Sequence, residues 1–382
     1  MFIVVMLILF SALAGISYYL AHRLYQGIIS FFPRVPFWPA LVIVCILTLL
    51  LVLSFGRSLL PLSPDTKHIL GLISSYCMGI FLYLLVFTVA ADLVVLVCKL
   101  AKAPFLAHRL FRGFVTLGVL LLTLITCIGG FINGRQIDHI SYEIRLQGKK
   151  DISDIKLVMI SDLHLGSIGS EDRLKEIVDE INALQPDLVC IAGDFFDTDF
   201  AAIQDPDAAL KTLQTLHPTY GTYACLGNHD AGKTHDQMTA FLNAANIRLL
   251  NDAYTVIDNR LVLVGRRDGS PIGGYGEEKR KPLSEFFTGV DSALPVIVLD
   301  HNPANIHEYG AETDLILCGH THKGQVFPGN LITDLMYTVD YGYYQKDPQS
   351  PQVIVSSGVG TWGMPMRVGT DCEIVTIRFS CD

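Results

Sequence analysis

Four apolar stretches crowd the first third of this chain, at about 1–20, 38–55, 69–98 and 114–132, and none of comparable length follows. A helix needs about 20 such residues to cross the hydrocarbon of a bilayer. Residues 1–135 are therefore expected to form a membrane domain with about four transmembrane helices, joined to a separate domain over residues 140–382. The 51% hydrophobic content and the mean hydropathy of +0.41 are concentrated at one end. The remainder reads as an ordinary globular domain with enough length for a full core. Ala12-Leu13-Ala14 resembles a signal cleavage site, but no basic residues precede the first stretch, so an uncleaved span is the favoured reading.

Basic residues set the expected orientation, because cytoplasmic loops carry an excess of Lys and Arg. Arg23, Arg34, Lys99, Lys102, Arg109 and Arg112 fall in the first and third loops, against Arg57, Lys67 and Arg135 on the other side. This places the C-terminal domain outside the cytoplasm, by a margin that Arg145, Lys149 and Lys150 narrow. Asp92 is the single acid embedded in a span. An intramembrane carboxylate is a functional candidate, yet its segment is longer than one crossing requires, and a place near the end of that helix is favoured. No second charge lies in a span to suggest a transport relay.

The formal net charge of −9 argues against nucleic acid as a partner, since phosphate backbones demand clustered Lys and Arg. Nine cysteines form no CxxC pair. Cys190, Cys225 and Cys318 lie in apolar runs and read as small buried hydrophobes; Cys372 and Cys381 would pair only under oxidising conditions.

From about residue 140 short apolar runs alternate with amphipathic stretches. "IKLVMIS", "DLVCIAG", "GTYACLG", "LVLVG", "PVIVLD", "DLILCG" and "PQVIVSS" read as buried strands, and 171–184, 205–216 and 234–245 have helical spacing. This alternation predicts an α/β sheet with covered faces. Residues 266–282, rich in Gly and charge, read as a surface loop.

The strand ends carry the chemistry. The first run is followed by Asp162 and His164, the second by Asp194 and Asp197, the third by Asn228, His229 and Asp230, and later ones by His301, His320 and His322. Any one of these is an ordinary turn or cap. Five in succession at strand ends, where sites assemble in open α/β sheets, predict a shared metal site. Imidazoles mixed with carboxylates suit Mn, Fe, Zn or Co better than Ca, and so many donors suit two ions acting as a clamp on phosphorus. His217, His235 and His307 match no motif and read as surface or capping residues.

D-x-H, G-D-x-x-D, G-N-H-D, a single His and G-H-x-H, in this order, resemble the calcineurin-like metallophosphoesterase superfamily. Over the whole chain the pattern is similar to the transmembrane proteins with a metallophosphoesterase domain. The resemblance covers about residues 155–378 and includes a late G-x-G-T…P-x-R segment: Gly358, Gly360, Thr361, Pro365 and Arg367. It implies a four-layered α/β/β/α sandwich and two divalent ions (Mn, Fe, Zn, Co or Mg). Asp162, His164 and His322 would hold one ion, Asn228, His301 and His320 the other, and Asp194 would bridge them. His229 would act on the transferring group, with Asp197 as its partner. Asp300, Lys323 and Ser357 depart from the family pattern without removing a ligand.

The reaction so implied is hydrolysis of a phosphodiester, pyrophosphate or phosphomonoester by metal-activated hydroxide, with a lipid-linked or envelope substrate suggested by tethering to the bilayer. The rival readings are a membrane sensor or scaffold whose domain only binds ligand, which would require missing ligands, and a transporter, which would require paired intramembrane charges.

Overall fold

The structure is a computed structural model that describes residues 2–56, 60–108, 110–276, 279–286 and 291–381. Arg57 and Arg109, used above for orientation, and the side chain of Cys381 lie outside the described residues. The chain divides into two compact units, Met1–Phe131 and Ile132–Asp382.

In the first unit, α1 (Phe2–Phe31), α2 (Trp38–Gly56) and α3 (Pro64–Leu100) are followed by α4 (Phe111–Asn133). Among the described residues three helices are long and apolar enough to cross a membrane, namely Val4–Phe31, Thr66–Leu100 and Phe111–Asn133. The second, whose apolar stretch is Trp38–Ser54, belongs to a shorter class. Leu20, Val44, Phe81, Leu84 and Val119 pack together, while Leu7, Ile8, Leu93, Val94 and Leu124 stay exposed, as a lipid-facing surface requires. The first helix outruns its expected end at residue 20, so Arg23 lies within it rather than in a loop. Its guanidinium stands 2.7 Å from Asp92, whose carboxylate also accepts a 2.6 Å hydrogen bond from Tyr19. The charge that the sequence left alone in a span thus has an ion-pair partner on a neighbouring helix, which corrects the expectation that no second charge lies in a span.

The second unit contains two six-stranded sheets, and its first sheet has the order β1-β12-β2-β3-β4-β5. Its members are β1 (Ile137–Leu146), β2 (Lys156–Ile160), β3 (Leu188–Ala192), β4 (Thr222–Cys225), β5 (Ile247–Leu249) and β12 (Cys372–Cys381). The second sheet runs β10-β11-β9-β8-β7-β6, from β6 (Ala253–Ile257), β7 (Leu261–Gly265), β8 (Val296–Leu299), β9 (Leu315–Cys318), β10 (Gly342–Gln345) and β11 (Gln352–Val355). Strands β2 to β5 are parallel, as are β7, β8, β9 and β11.

The strands read as unbroken apolar runs because both of their faces are covered. In β2, Leu157 and Met159 point into the core between the sheets, against Leu263, Ile297 and Leu317. Val158 and Ile160, offset by one residue, point the other way to the helices. There α5 (Ser170–Ala183) buries Leu174, Ile177, Val178 and Ile181 at helical spacing. Next to it lie α6 (Pro206–Leu213), capped by Asp205 with Pro206 in its first turn, and α7 (His235–Ala244). The four-layered sandwich is as expected, with one local difference. The outer face of the second sheet is covered by short 3₁₀ turns, including Leu283–Glu285 and Pro303–Glu308, and by Leu294, Tyr309 and Val339. The remaining helix, α8 (Gly329–Met336), buries none of its residues.

Candidate metal centre

The expected ligands all follow parallel strands: Asp162 and His164 after β2, Asp194 and Asp197 after β3, Asn228 and His229 after β4, His301 after β8, and His320 and His322 after β9. The backbone bends sharply to aim them. Asp162, His164, Asp194, His320 and His322 all have φ between 49° and 74°, a left-handed conformation that non-glycine residues adopt only when the surroundings enforce it. A ladder between the first two loops does so here: Asp162 N–H donates to the Gly193 carbonyl (3.0 Å), His164 N–H to that of Asp194 (3.0 Å), and Leu165 N–H to that of Phe195 (2.8 Å). Gly193 turns with φ +80, whereas Gly227 and Gly319 have no positive φ and serve close approach. A Cβ on Gly227 would collide with Asp194, and one on Gly319 with Asp162. Absent side chains at these two positions let the carboxylates sit against backbone.

The donors converge in two sets. Asp162, His164 and His322 each offer an atom within 4.8 Å of the others, as do Asp194, His301 and His320. Asn228 Oδ1 joins the second set, 2.8 Å from His320 Nδ1 and 3.2 Å from His301 Nε2. Asp194 stands between the sets, its Oδ2 3.2 Å from His301 Nε2 and 3.8 Å from His164 Nε2. Its Oδ1 accepts the His229 N–H at 2.8 Å, and the Asp162 carboxylate accepts the His320 N–H at 3.0 Å. His301 Nδ1 lies 2.8 Å from the Ala192 carbonyl; donating there fixes the tautomer and leaves Nε2 with its lone pair toward the centre.

In the metal-free protein the carboxylates are balanced by imidazoles: against burial, Asp194 raises His301 well above its ordinary value and Asp197 and Asp194 raise His164, protons that a bound cation would displace. Burial would push Asp194 up, but His301 and His164 outweigh it and hold the carboxyl well below its usual range. Burial raises Asp162. His320 is depressed to about 3, and His322 falls well below its ordinary value, by burial first and by neighbouring His301 and Arg367 respectively. Both are therefore neutral imidazoles, the form in which histidine ligates a metal. Buried imidazoles beside two carboxylates, with lone pairs turned inward, fit divalent first-row ions.

His229 adjoins both sets, within 4.8 Å of His164 and Asp194 by its ring nitrogen. Its Nδ1 bonds Thr198 Oγ1 at 2.6 Å. Asp197, the expected partner, lies between two rings, 3.9 Å from His229 Nδ1 and 3.7 Å from His164 Nδ1. Thr198 is invisible to sequence reasoning because a lone Thr after G-D-x-x-D carries no signal. Asp230, which has no role in the ligand pattern, accepts hydrogen bonds from Phe195, Phe196 and Gly227 N–H and so ties two ligand loops together. Arg367 is fully buried and donates to the carbonyls of His322 (2.9 Å), Ser357 (2.7 Å) and Gly360 (2.6 Å).

Of the departures from the family pattern, Asp300 pairs with Arg280 (2.6 Å) and accepts from Tyr309 (2.6 Å), Lys323 lies over the Tyr341 ring, and Ser357 Oγ donates to the Asp371 carbonyl. The 266–282 segment is more than a surface loop. Ile272 N–H donates to the Asn228 carbonyl (2.8 Å) and Tyr275 OH to that of Gly227 (2.8 Å), so it braces the G-N-H-D turn. His235 also touches this segment, through the Tyr275 ring, while His217 is exposed.

A family model for calcineurin-like phosphoesterase matches residues 155–324. An uncharacterized metallophosphoesterase of Helicobacter pylori is 31% identical over 291 residues, 73% of this chain and 75% of the relative. A transmembrane protein with metallophosphoesterase domain from Danio rerio is 29% identical, over 82% of this chain and 74% of its own. The UDP-2,3-diacylglucosamine pyrophosphatase LpxG of Chlamydia trachomatis is 26% identical, over 54% of this chain and 78% of its own.

Proposed function

The chain belongs to the calcineurin-like metallophosphoesterases and is a metal-dependent phosphoester hydrolase, and from that premise we propose a dinuclear enzyme acting on a lipid-linked phosphodiester or pyrophosphate at a membrane. The observation that carries this reading is that Asp194, which groups with His301 and His320, also stands 3.8 Å from His164 of the other donor set. Asp162, His164 and His322 would hold one ion, Asn228, His301 and His320 the other, with Asp194 shared between them. Two bound cations supply Lewis acidity toward phosphoryl oxygens and make water acidic enough to attack near neutral pH.

The chain's own residues do the rest. His229, depressed by burial, is a neutral imidazole. When Thr198 donates to Nδ1, the ring's one proton resides on Nε2 and hydrogen-bonds the leaving oxygen; transfer of that proton follows uptake of a second one from solvent at Nδ1, so that the ring returns to the neutral imidazole. Asp197, between His229 and His164, steadies both rings. Asp194 and Asp162, each pinned by a backbone N–H, keep their carboxylates fixed without reorganisation during the reaction.

The lipid-linked substrate rests on the long apolar helices and on LpxG, whose name gives it a lipid pyrophosphate substrate. With Arg23 set inside α1, the basic residues around the first and third connections still outnumber those opposite by five to three, which supports a multi-pass arrangement with the catalytic unit outside the cytoplasm. Purified full-length protein, assayed with Mn, Fe, Zn, Co and Mg separately on soluble diesters and on vesicle-borne phospholipid pyrophosphates, tests the substrate class. Hydrolysis of the vesicle-borne compounds is expected; metal binding without turnover of any substrate would instead indicate a ligand-binding sensor. A C-terminal alkaline-phosphatase or fluorescent-protein fusion reads the side of the membrane, and bright cytosolic fluorescence would overturn the orientation.

A further inference from the structure

Helix α8 departs from what a globular domain does with apolar residues. Leu331, Ile332, Leu335 and Met336 are 52, 57, 86 and 69% exposed. At spacings of one, four and five residues they share one face, with Asn330, Thr333 and Asp334 elsewhere on the helix. A contiguous exposed apolar patch marks an interaction surface, and an eight-residue helix has little stability of its own.

This helix is set on the metal centre. It directly follows the turn bearing His322, and its first residue packs so closely on Gly324 that a side chain there would collide with the Gly329 and Asn330 backbone. Gln325, just before the helix, holds the backbone of Trp362 through two hydrogen bonds of 2.8 Å. The Trp362 ring, 42% exposed, meets His229 edge-on with centroids 5.9 Å apart. An apolar surface and an amphipathic indole thus belong to the same set of loops as the candidate proton donor.

What covers this face follows from the covalent chain. Helix α4, long and apolar enough to cross a membrane, ends at Asn133, and β1 begins at Ile137. Residues 134–136 alone join them, and Asn133, inside the second unit, donates to the Arg367 and Thr370 carbonyls, so the loop that pairs with Val326 and Phe327 just before α8 lies where the chain leaves an apolar, membrane-length helix. An amphipathic helix held there buries its apolar face at the boundary of headgroups and acyl chains, and Trp favours the same depth.

We infer that the Leu331, Ile332, Leu335 and Met336 face of α8 inserts into the bilayer interface and anchors the mouth of the metal centre on the membrane. This rests on the membrane-anchored phosphoesterase reading. It adds that α8 seats the site on the lipid surface, where a phosphate group buried among headgroups comes within reach of His229.

The test uses the full chain in phosphatidylcholine–phosphatidylglycerol vesicles, with p-benzoylphenylalanine replacing Leu335 or, as control, Asp334. Irradiation should cross-link position 335 to phospholipid, at least about fivefold more than position 334. Cross-linked dimers would assign the face to a second copy of the chain, and adducts with the chain's own N-terminal helices would assign it there. Either result, or no adduct at all, overturns the inference. A second arm reads consequence. The variant with Leu331→Ser, Ile332→Ser, Leu335→Ser and Met336→Ser should keep bis(p-nitrophenyl) phosphate turnover within about twofold, yet lose about tenfold or more on a vesicle-borne phosphodiester. Equal turnover of both substrates by variant and parent would overturn it. Absence of hydrolysis in the parent would refute the enzyme reading alone, because lipid adducts at 335 form without catalysis.

Discussion

His164 and His322, 158 residues apart in the chain, face each other through Nε2 atoms at 3.1 Å inside the protein. Burial and Arg367 keep His322 uncharged. At that distance the two nitrogens hold either a proton, which His164 carries when burial is outweighed by Asp197 and Asp194, or a cation in its place. A bound ion should therefore stabilise the fold. Chelation of the purified protein is expected to lower the Tm of the C-terminal unit by about 5–10 °C, with Mn or Zn restoring it. An unchanged Tm, with metal loss verified by elemental analysis, would contradict this.

His229→Ala separates catalysis from metal retention. Thr198 and Asp197 hold the ring from its Nδ1 side, leaving Nε2 for the leaving oxygen. Both ions should remain while turnover falls by about 10²–10⁴-fold. The loss should shrink for nitrophenyl leaving groups, which need little protonation. An equal loss across leaving groups would show that His229 binds a phosphoryl oxygen instead.

Arg367→Ala should be among the most damaging substitutions away from the ligands. Its guanidinium serves the buried carbonyls of His322, Ser357 and Gly360 at once. Stripping them of that donor costs about 1–3 kcal/mol per unsatisfied group, hence a loss on the order of 3–5 kcal/mol in denaturant unfolding. Arg367→Lys should not rescue it, because one ammonium cannot span the three. Wild-type stability in the lysine variant would contradict the role.

Which parts of this centre could be read from the sequence follows from the physics of each part. Ligands at strand ends are legible because an apolar run followed by Asp or His is a local pattern, and five of them in order seldom arise without a shared site. Which of Leu157, Val158, Met159 and Ile160 faces which layer is not legible, because no polar residue marks an outer face, but burial of β2 on both faces is legible in its unbroken apolar run. Partners brought together only by tertiary contact are not. Nothing near Asp230 shows that it accepts from Phe195 and Phe196, nor near Thr198 that it meets His229. That the four apolar residues of α8 lie uncovered is not legible either, since spacing reports a shared face and not what covers it. Arg23 looks like a loop charge because it follows an apolar run, yet polarity alone does not end a helix.

Asp230 gives a pH signature in the metal-free protein. Burial first, then Asp194, push its carboxyl up to about 7, against the Phe196 and Gly227 N–H groups that favour the anion. The folded pKa exceeds the unfolded value of about 3.9, so the folded state binds more protons between them. Its contribution to stability is complete below about pH 4 and is lost as pH rises to about 7. Chelated wild type should therefore lose stability across that window relative to Asp230→Asn. A constant difference between the two from pH 4 to 8 would contradict the assignment.

The bridging role of Asp194 is the centre of the account, and metal content measured alongside turnover tests it most directly. Wild-type protein reconstituted with a single transition metal should bind two ions per chain and hydrolyse bis(p-nitrophenyl) phosphate. Asp194→Asn should lose both ions and activity together, whereas His164→Ala should chiefly lose one. Full activity in wild-type protein holding fewer than one ion per chain, or an Asp194→Asn variant that keeps two ions and normal turnover, would contradict it.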